Sequence, residues 1–286
     1  MNYSPLRYPG GKNCIFDFVS KLIDENKLYG QIYAEPYAGG SGLALRLLFE
    51  EYVDNILIND LDRSIYAFWK TILNDTELFC EWIYNVEINI KTWTEMKEIQ
   101  NNYSKSTRFD LAKSTFFLNR TNISGIIKGG VIGGIKQNGN YKIDARFNKI
   151  RLIEKIKKIA RYKNRIKVSN LDGVVFINNN KKQLTDAFVY LDPPYYEKGS
   201  KLYMNAYKRD DHIKLSQTLH NFNVKWMLSY DNQTFIRSLY DNYKCLVYNL
   251  SQNTSNRMGE ELLIFPNNMA YKKSAKKLKI SQQIFN

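Results

Sequence analysis

Tyr37-Ala38-Gly39-Gly40-Ser41-Gly42 stands between Gln31–Glu35, a run with strand character, and Leu43–Tyr52, an apolar helical pattern. Three glycines in six residues allow positive φ and a close backbone approach that a Cβ would block. A strand, a glycine-rich turn and a helix in that order is how Rossmann-like sheets bring main chain against a nucleotide-bearing ligand. A plain tight turn reads the same way, so the next segment matters. Asn55–Asn59 is a second strand, and Asp60 lies 21 positions beyond Gly39. That is the spacing at which an acidic side chain reaches a ribose hydroxyl pair. Asp60 and Asp62 are equally suited to cap the aromatic-rich helix that follows, Leu61–Leu73. The turn carries no Walker lysine, so nothing in it points to a triphosphate.

Working outward, strand character returns at Ala187–Leu191, Val224–Ser229, Cys245–Tyr248 and Leu262–Phe265. Helical stretches near Asp211–His220 and Thr234–Leu239 separate these strands, and the alternation marks an α/β body. Between Thr76 and Asn122 the pattern is helical without a convincing strand. Gly125–Gly139 then holds six glycines, and Leu152–Arg161 is a basic helix. The expected organisation is a discontinuous core of residues 1–75 and 163–270 interrupted by an inserted lobe, 76–162. A basic tail, 271–286, is expected to fray.

Charge is the unusual feature of the composition. Forty-two Lys+Arg against 28 Asp+Glu give +14 over 286 residues, a surplus that favours a polyanionic partner. It is unevenly placed: Arg120–Lys167 holds 14 cations against Asp144 and Glu154, and the tail adds five lysines without an acid. Cys14, Cys80 and Cys245 are far apart and form no CxxC pair, which argues against a disulfide scaffold or zinc ribbon and for a reducing compartment. With only His212 and His220, three-histidine metal sites are excluded and no metal is expected. Neither histidine is assigned a catalytic part. No apolar run approaches the roughly 20 residues of a membrane span, and the first 20 residues are no secretory signal. A cytoplasmic protein is expected.

Ala187–Leu191 runs directly into Asp192-Pro193-Pro194-Tyr195. A carboxylate at the C-terminal end of a buried strand faces the crevice where such sheets bind ligands. The prolines fix the backbone and leave the Pro193 carbonyl free to accept a hydrogen bond, while Tyr195 offers a flat face to a base. These parts suit methyl transfer to an exocyclic amine. An adenine amino group is a poor nucleophile because its lone pair is delocalised into the ring. Two acceptors, Asp192 and the Pro193 carbonyl, can draw its hydrogens and free that lone pair, and the carboxylate stabilises the positive charge that develops. A Pro-Pro turn with Asp192 as a mere cap is the bland alternative.

Taken together, Arg7-Tyr8-Pro9-Gly10-Gly11-Lys12, Glu35-Pro36-Tyr37-Ala38-Gly39-Gly40, Asn59-Asp60, Phe117-Leu118-Asn119-Arg120 and Asp192-Pro193-Pro194-Tyr195 resemble the DNA adenine methylase (Dam) family, in the order of the subgroup whose cofactor motifs precede the recognition region. The likeness extends to Leu228-Ser229-Tyr230-Asp231 and Glu260-Glu261-Leu262-Leu263. It implies a Rossmann-like methyltransferase sheet with an inserted, mostly helical DNA-recognition lobe, and S-adenosylmethionine as cofactor. By the same resemblance Asp192, Pro193 and Tyr195 are catalytic. Tyr8, Gly10, Lys12, Glu35, Tyr37, Gly39, Asp60 and Asp192 would line the cofactor and target base. Ser41 stands where the family often has Gly, and Tyr8 where many members have Trp.

Family members insert the segment after the Asn-Arg pair into DNA. Here Arg7, Arg120, Ile123, Ser124, Ile126, Lys128 and Arg146 would contact it, an arrangement of apolar wedges beside cations that base flipping requires. Lys128 stands where GATC-methylating members carry arginine, and lysine reproduces a bidentate guanine contact poorly, so GATC specificity does not transfer. The implied activity is site-specific adenine-N6 methylation of a base flipped from double-stranded DNA; a restriction-modification enzyme with a cognate restriction endonuclease and an orphan enzyme are both compatible with the sequence. The rivals are methylation of RNA adenine or protein glutamine, and a non-catalytic DNA-binding module that retains the fold. Glutamine enzymes usually carry Asn in place of Asp192 and need no cationic segment.

Overall fold

A computed structural model describes residues 2–8, 10–197, 207–251, 258–278 and 280–284. It divides into two compact units. One comprises residues 12–61 and 169–286, the other 1–11 and 62–168.

The first unit is built on a sheet. In chain order it contains α1 (Phe16–Glu25), β1 (Ile32–Glu35), α2 (Gly42–Phe49) and β2 (Asn55–Asn59). The other unit supplies α3 (Arg63–Asn74), α4 (Thr76–Asn85), α5 (Ile90–Asn101), α6 (Arg108–Thr121) and α7 (Lys149–Arg161). The chain returns through β3 (Ile166–Ser169) to α8 (Gly173–Asn179), β4 (Phe188–Leu191), α9 (Arg209–His220), β5 (Lys225–Asp231), α10 (Thr234–Leu239), β6 (Lys244–Ser251), β7 (Met258–Phe265) and β8 (Ile280–Ile284).

Seven strands lying wholly in the first unit follow one another across the sheet as β2-β1-β4-β5-β7-β6-β8, and β3, where the chain passes between units, is the eighth. β1 runs parallel to β2 and β4, and β4 parallel to β5, while β7, β6 and β8 are antiparallel additions. β4, Phe-Val-Tyr-Leu, is buried at every position, as a strand covered on both faces must be. From β1 the sheet proceeds to β2 on one side and β4 on the other, so the strand order reverses there. In open α/β sheets the crevice beyond the carboxyl ends of those strands is the ligand site. Glu35, Asn59 and Leu191 are the last residues of β1, β2 and β4. The glycine turn and the Asp192 motif therefore open onto the same crevice.

The second unit is helical and aromatic. Phe68 of α3 stacks on Phe116 of α6 at 5.7 Å, and Phe79 of α4 and Phe147 pack edge-on against Phe116. This explains where the observed boundary falls. Residues 62–75, expected with the core, go with the helical unit because the buried face of α3 (Ile65, Phe68, Trp69 and Ile72) is held by α6. Residues 1–11 also belong to it, because Asn119 of α6 grips Arg7 from both sides. Arg7 N–H donates to Asn119 Oδ1 and Asn119 Nδ2 to the Arg7 carbonyl, each at 2.7 Å.

The tail is packed. Glu25, at the end of α1, accepts hydrogen bonds from Lys273 N (3.0 Å), Ser274 N (2.9 Å) and Ser274 Oγ (3.0 Å), and beyond them β8 pairs with β6. The expectation of fraying is corrected for residues 271–278 and 280–284, while Lys279, Phe285 and Asn286 lie outside the described residues. No helix among the described residues is long and apolar enough to cross a membrane.

Candidate active site and nucleic-acid interface

The glycine turn is held from within. Ser41 N donates to the Ala38 carbonyl at 2.8 Å, with Gly39 at φ 46° and Ser41 at φ 43°, both left-handed. A serine there accepts backbone strain that glycine would not. Asn59 fixes the neighbouring loops. Its carbonyl accepts from Ala38 N, and its side-chain amide donates to the Pro36 and Leu171 carbonyls at 2.9 and 2.8 Å. Asp60 Oδ2 accepts from Gly39 N at 2.8 Å, so the 21-residue spacing places this carboxylate against the turn. The cap of α3 is Asp62, which accepts from Ser64 N.

Tyr37 closes one wall. A Cβ added at Gly173 would lie 2.3 Å from Tyr37 Cζ, so the ring occupies space that only glycine leaves. The Tyr37 hydroxyl pairs with that of Tyr207 at 2.7 Å. Glu35 is buried and accepts from Tyr33 OH at 2.9 Å. Burial pushes its carboxyl up to about 8; the Tyr33 hydrogen bond opposes the rise and the nearby Asp192 charge adds to it.

Asp192 follows β4 directly. Its Oδ2 is 3.0 Å from Lys12 Nζ, while its Oδ1 is buried without a hydrogen-bond partner of good geometry; the nearby Ser229 hydroxyl, itself paired with Tyr190 OH, is the least of the influences on the carboxyl. Burial raises the Asp192 carboxyl; Lys12 counters that and Glu261 reinforces it. Lys12, in the 3₁₀ turn preceding α1, also donates to Tyr195 OH at 2.9 Å and lies 3.5 Å from Glu261 Oε2. Glu261 in turn accepts from Tyr248 OH at 2.7 Å, because β6 and β7 pair these two residues across the strands. The loop after the motif is pinned by Asp231 at the end of β5, which accepts from Tyr196 N (3.0 Å) and Glu197 N (2.9 Å).

Lys12, Glu35, Tyr37, Gly39, Asp60, Asp192, Pro193 and Tyr195 thus lie in the sheet unit. Tyr8 and Gly10 lie in the helical unit, where Gly11 N closes a turn onto the Tyr8 carbonyl and Gly10 sits at φ 73°. Three residues that the sequence reading assigns no role lie in this neighbourhood. Glu261 was visible as a glutamate heading an apolar run, Leu262–Phe265, but nothing announced its partners. Asp231 was visible within Leu228-Ser229-Tyr230-Asp231. His212 had no signal: it is 1% exposed in α9 and pairs through Nδ1 with Tyr230 OH at 2.7 Å.

All seven DNA candidates lie in the helical unit. Ile123 is 58% exposed at the base of a loop, 124–129, that Ile123 N closes onto the Gly130 carbonyl at 2.9 Å. Ser124 at φ 55° and Gly125 at φ 76° make the bend, and Arg7 Nη1 reaches the Asn122 carbonyl at 2.9 Å. Asn122 braces the turn from inside, donating to the Ile126 and Ile127 carbonyls and accepting from Trp93 Nε1. Lys128 and Arg146 are exposed, Arg146 beside the ring of exposed Tyr141 at 5.7 Å. Arg120 is spent differently. Its guanidinium donates to the carbonyls of Arg146 and Pro5, and burial together with the Arg7 and Arg146 charges lowers its pKa to about 10.

Charge divides along the same line. The helical unit holds 22 Lys+Arg against 10 Asp+Glu, a net of +12, and the sheet unit 20 against 18, a net of +2. A carboxylate with one poorly satisfied oxygen at the end of a parallel strand serves proton and amine chemistry, and a basic helical unit with an exposed isoleucine serves a polyanion. Among the described residues no cluster of His, Cys, Asp and Glu is arranged to hold a metal.

Residues 8–254 match the model of a family described as D12 class N6 adenine-specific DNA methyltransferase. A "Type II methyltransferase M.MjaIII" from Methanocaldococcus jannaschii is 23% identical over 260 residues, covering 83% of this chain and 88% of its own. A "Type II methyltransferase M.CviBI" from Paramecium bursaria Chlorella virus NC1A is 22% identical over 262 residues, covering 90% of this chain and 95% of its own.

Proposed function

Since this chain belongs to the D12 class of N6 adenine-specific DNA methyltransferases, we propose that it methylates one adenine of a specific duplex site after flipping it out, with S-adenosylmethionine as donor. The observation that carries this reading is Asp192, with Oδ2 anchored by Lys12 and Oδ1 buried without a donor of good geometry. A buried oxygen lacking such a donor is costly unless a ligand supplies one, and an exocyclic amine does.

S-adenosylmethionine, when bound, supplies an electrophilic methyl group. The residues that fit it are Tyr37, Gly39 and Asp60 around the glycine turn, with Glu35 beneath. Asp192 Oδ1 and the Pro193 carbonyl accept the two amino hydrogens, and Tyr195 stacks on the ring. As positive charge develops on the amino nitrogen, the adjacent carboxylate stabilises it and then receives the released proton. A carboxyl raised by burial holds that proton more readily than a solvated one. In the helical unit Ile123 fills the gap left by the flipped base, and Lys128 and Arg146 hold phosphates. Cytoplasmic location belongs to this reading, which is compatible both with an orphan enzyme and with one paired with a restriction endonuclease.

Asp192→Ala should reduce methyl transfer to adenine-containing duplex by at least about 10²-fold, while a dissociation constant for S-adenosylmethionine stays measurable by calorimetry. Retention of most transfer in that variant would overturn the mechanism. Stronger methylation of RNA or of a glutamine peptide than of duplex DNA would overturn the substrate.

A further inference from the structure

Lys12 faces two carboxylates, Asp192 at 3.0 Å and Glu261 at 3.5 Å, and donates to Tyr195 OH at 2.9 Å. The Lys12 and Glu261 side chains are only 5% and 6% exposed and that of Asp192 23%, so solvent screens the Lys12–Glu261 contact weakly. A lysine paired with Asp192 alone would neutralise it, and a neutralised carboxylate is a weaker acceptor. Resting on the reading above, we propose that Glu261 is a positioning residue for methyl transfer. By sharing the Lys12 ammonium it lets Lys12 orient Asp192 and Tyr195 while the group as a whole keeps one negative charge for the developing cation. The cross-strand hydrogen bond from Tyr248 OH fixes the Glu261 carboxylate for this task.

Two charged groups face Asp192, Lys12 from the 3₁₀ turn and Glu261 from β7, while Glu35 from β1, pushed up to about 8 by burial, holds its proton through neutral pH. Its other titratable neighbours, Tyr33, Tyr190, Tyr230 and Tyr248, are raised by burial and stay neutral through the working range, as do Tyr195 and Cys14. Removing the Glu261 charge therefore has a directional consequence that loss of packing does not. Asp192 loses a like-charged neighbour and ionises at lower pH, yet becomes a poorer acceptor because Lys12 now acts on it alone.

The experiment is single-turnover methylation of duplex DNA by Glu261→Gln across pH, beside the wild type. The expected result is a plateau rate lower by about tenfold, less than the roughly 10²–10³ lost when a directly contacting group is removed. The acid limb should move to lower pH by on the order of one unit. In a Lys12→Gln background the same substitution should cost nothing further, since its effect runs through Lys12. An unmoved acid limb, or losses that multiply in the double variant, would overturn the proposal. If Glu261→Gln does not fold, as judged by circular dichroism, Tyr248→Phe takes its place: it removes the hydrogen bond that fixes the Glu261 carboxylate and leaves both carboxylates on Lys12. It should lower the plateau rate, and an unchanged plateau would overturn the proposal. A wild type inactive on every adenine duplex would instead strike the functional reading itself.

Discussion

Neutralising Lys128, Lys136 and Arg146 together, as glutamines, tests whether the charge surplus is a grip on DNA. All three are exposed and lie between Gly125 and Phe147 in the unit that carries +12. The Arg146 carbonyl, which accepts from Arg120, survives the substitution because it is main chain. Each phosphate contact contributes about 0.9 to the slope of log K against log salt, so three lost contacts flatten it by roughly 2.7. Between 50 and 200 mM salt the variant should then lose about 40-fold less affinity than the wild type does. At 0.1 M it should bind up to roughly 500-fold more weakly, the limit in which counterion release is the only term affected. Fluorescence anisotropy of a labelled duplex across a KCl series measures both quantities. The target sequence need not be known, because this term is independent of sequence. The counterpart triple variant, Lys181, Lys182 and Lys276 to glutamine, removes the same charge from exposed positions of the sheet unit and should leave the slope unchanged. A slope that moves by less than one in the first variant, or equally in both, would refute the assignment of DNA binding to the helical unit.

Glu35 makes stability pH-dependent in a defined window. Its folded carboxyl titrates at about 8 against 4.5 unfolded, so between those values the folded state holds a proton that the unfolded state has released. Stability from this group is complete below about pH 4.5 and is lost as pH rises towards 8, by up to about 1.4 kcal/mol per unit. Thermal melts should therefore show Glu35→Gln gaining on the wild type as pH rises from 5 to 8; a constant difference would contradict the shift. Gly125→Ala places a methyl 2.3 Å from the Arg7 carbonyl at a backbone φ of 76°, where an L side chain is already disfavoured. The expected cost is about 1–3 kcal/mol, a melting-point drop of several degrees, with DNA affinity falling more than cofactor affinity. An unchanged melting curve would mean that the turn relaxes freely.

What the sequence disclosed follows from whether the cause was local. The glycine turn, Asp60 and the Asp192 motif were legible because each is a short stretch whose residue types are set by its own backbone and the strand before it. Asp62 and Asp60 could not be separated as caps until Asp60 was found on Gly39 N and Asp62 on Ser64 N, since both precede a helix in the same way. β8 was missed because Ile280-Ser281-Gln282-Gln283-Ile284 has weak apolar alternation and becomes a strand by pairing with β6. The lysines before it read as a solvated tail, yet Glu25, 249 residues from Ser274, anchors them. His212 and Glu261 belong to the same class. Their chemistry depends on residues from other strands, which a linear reading cannot bring together.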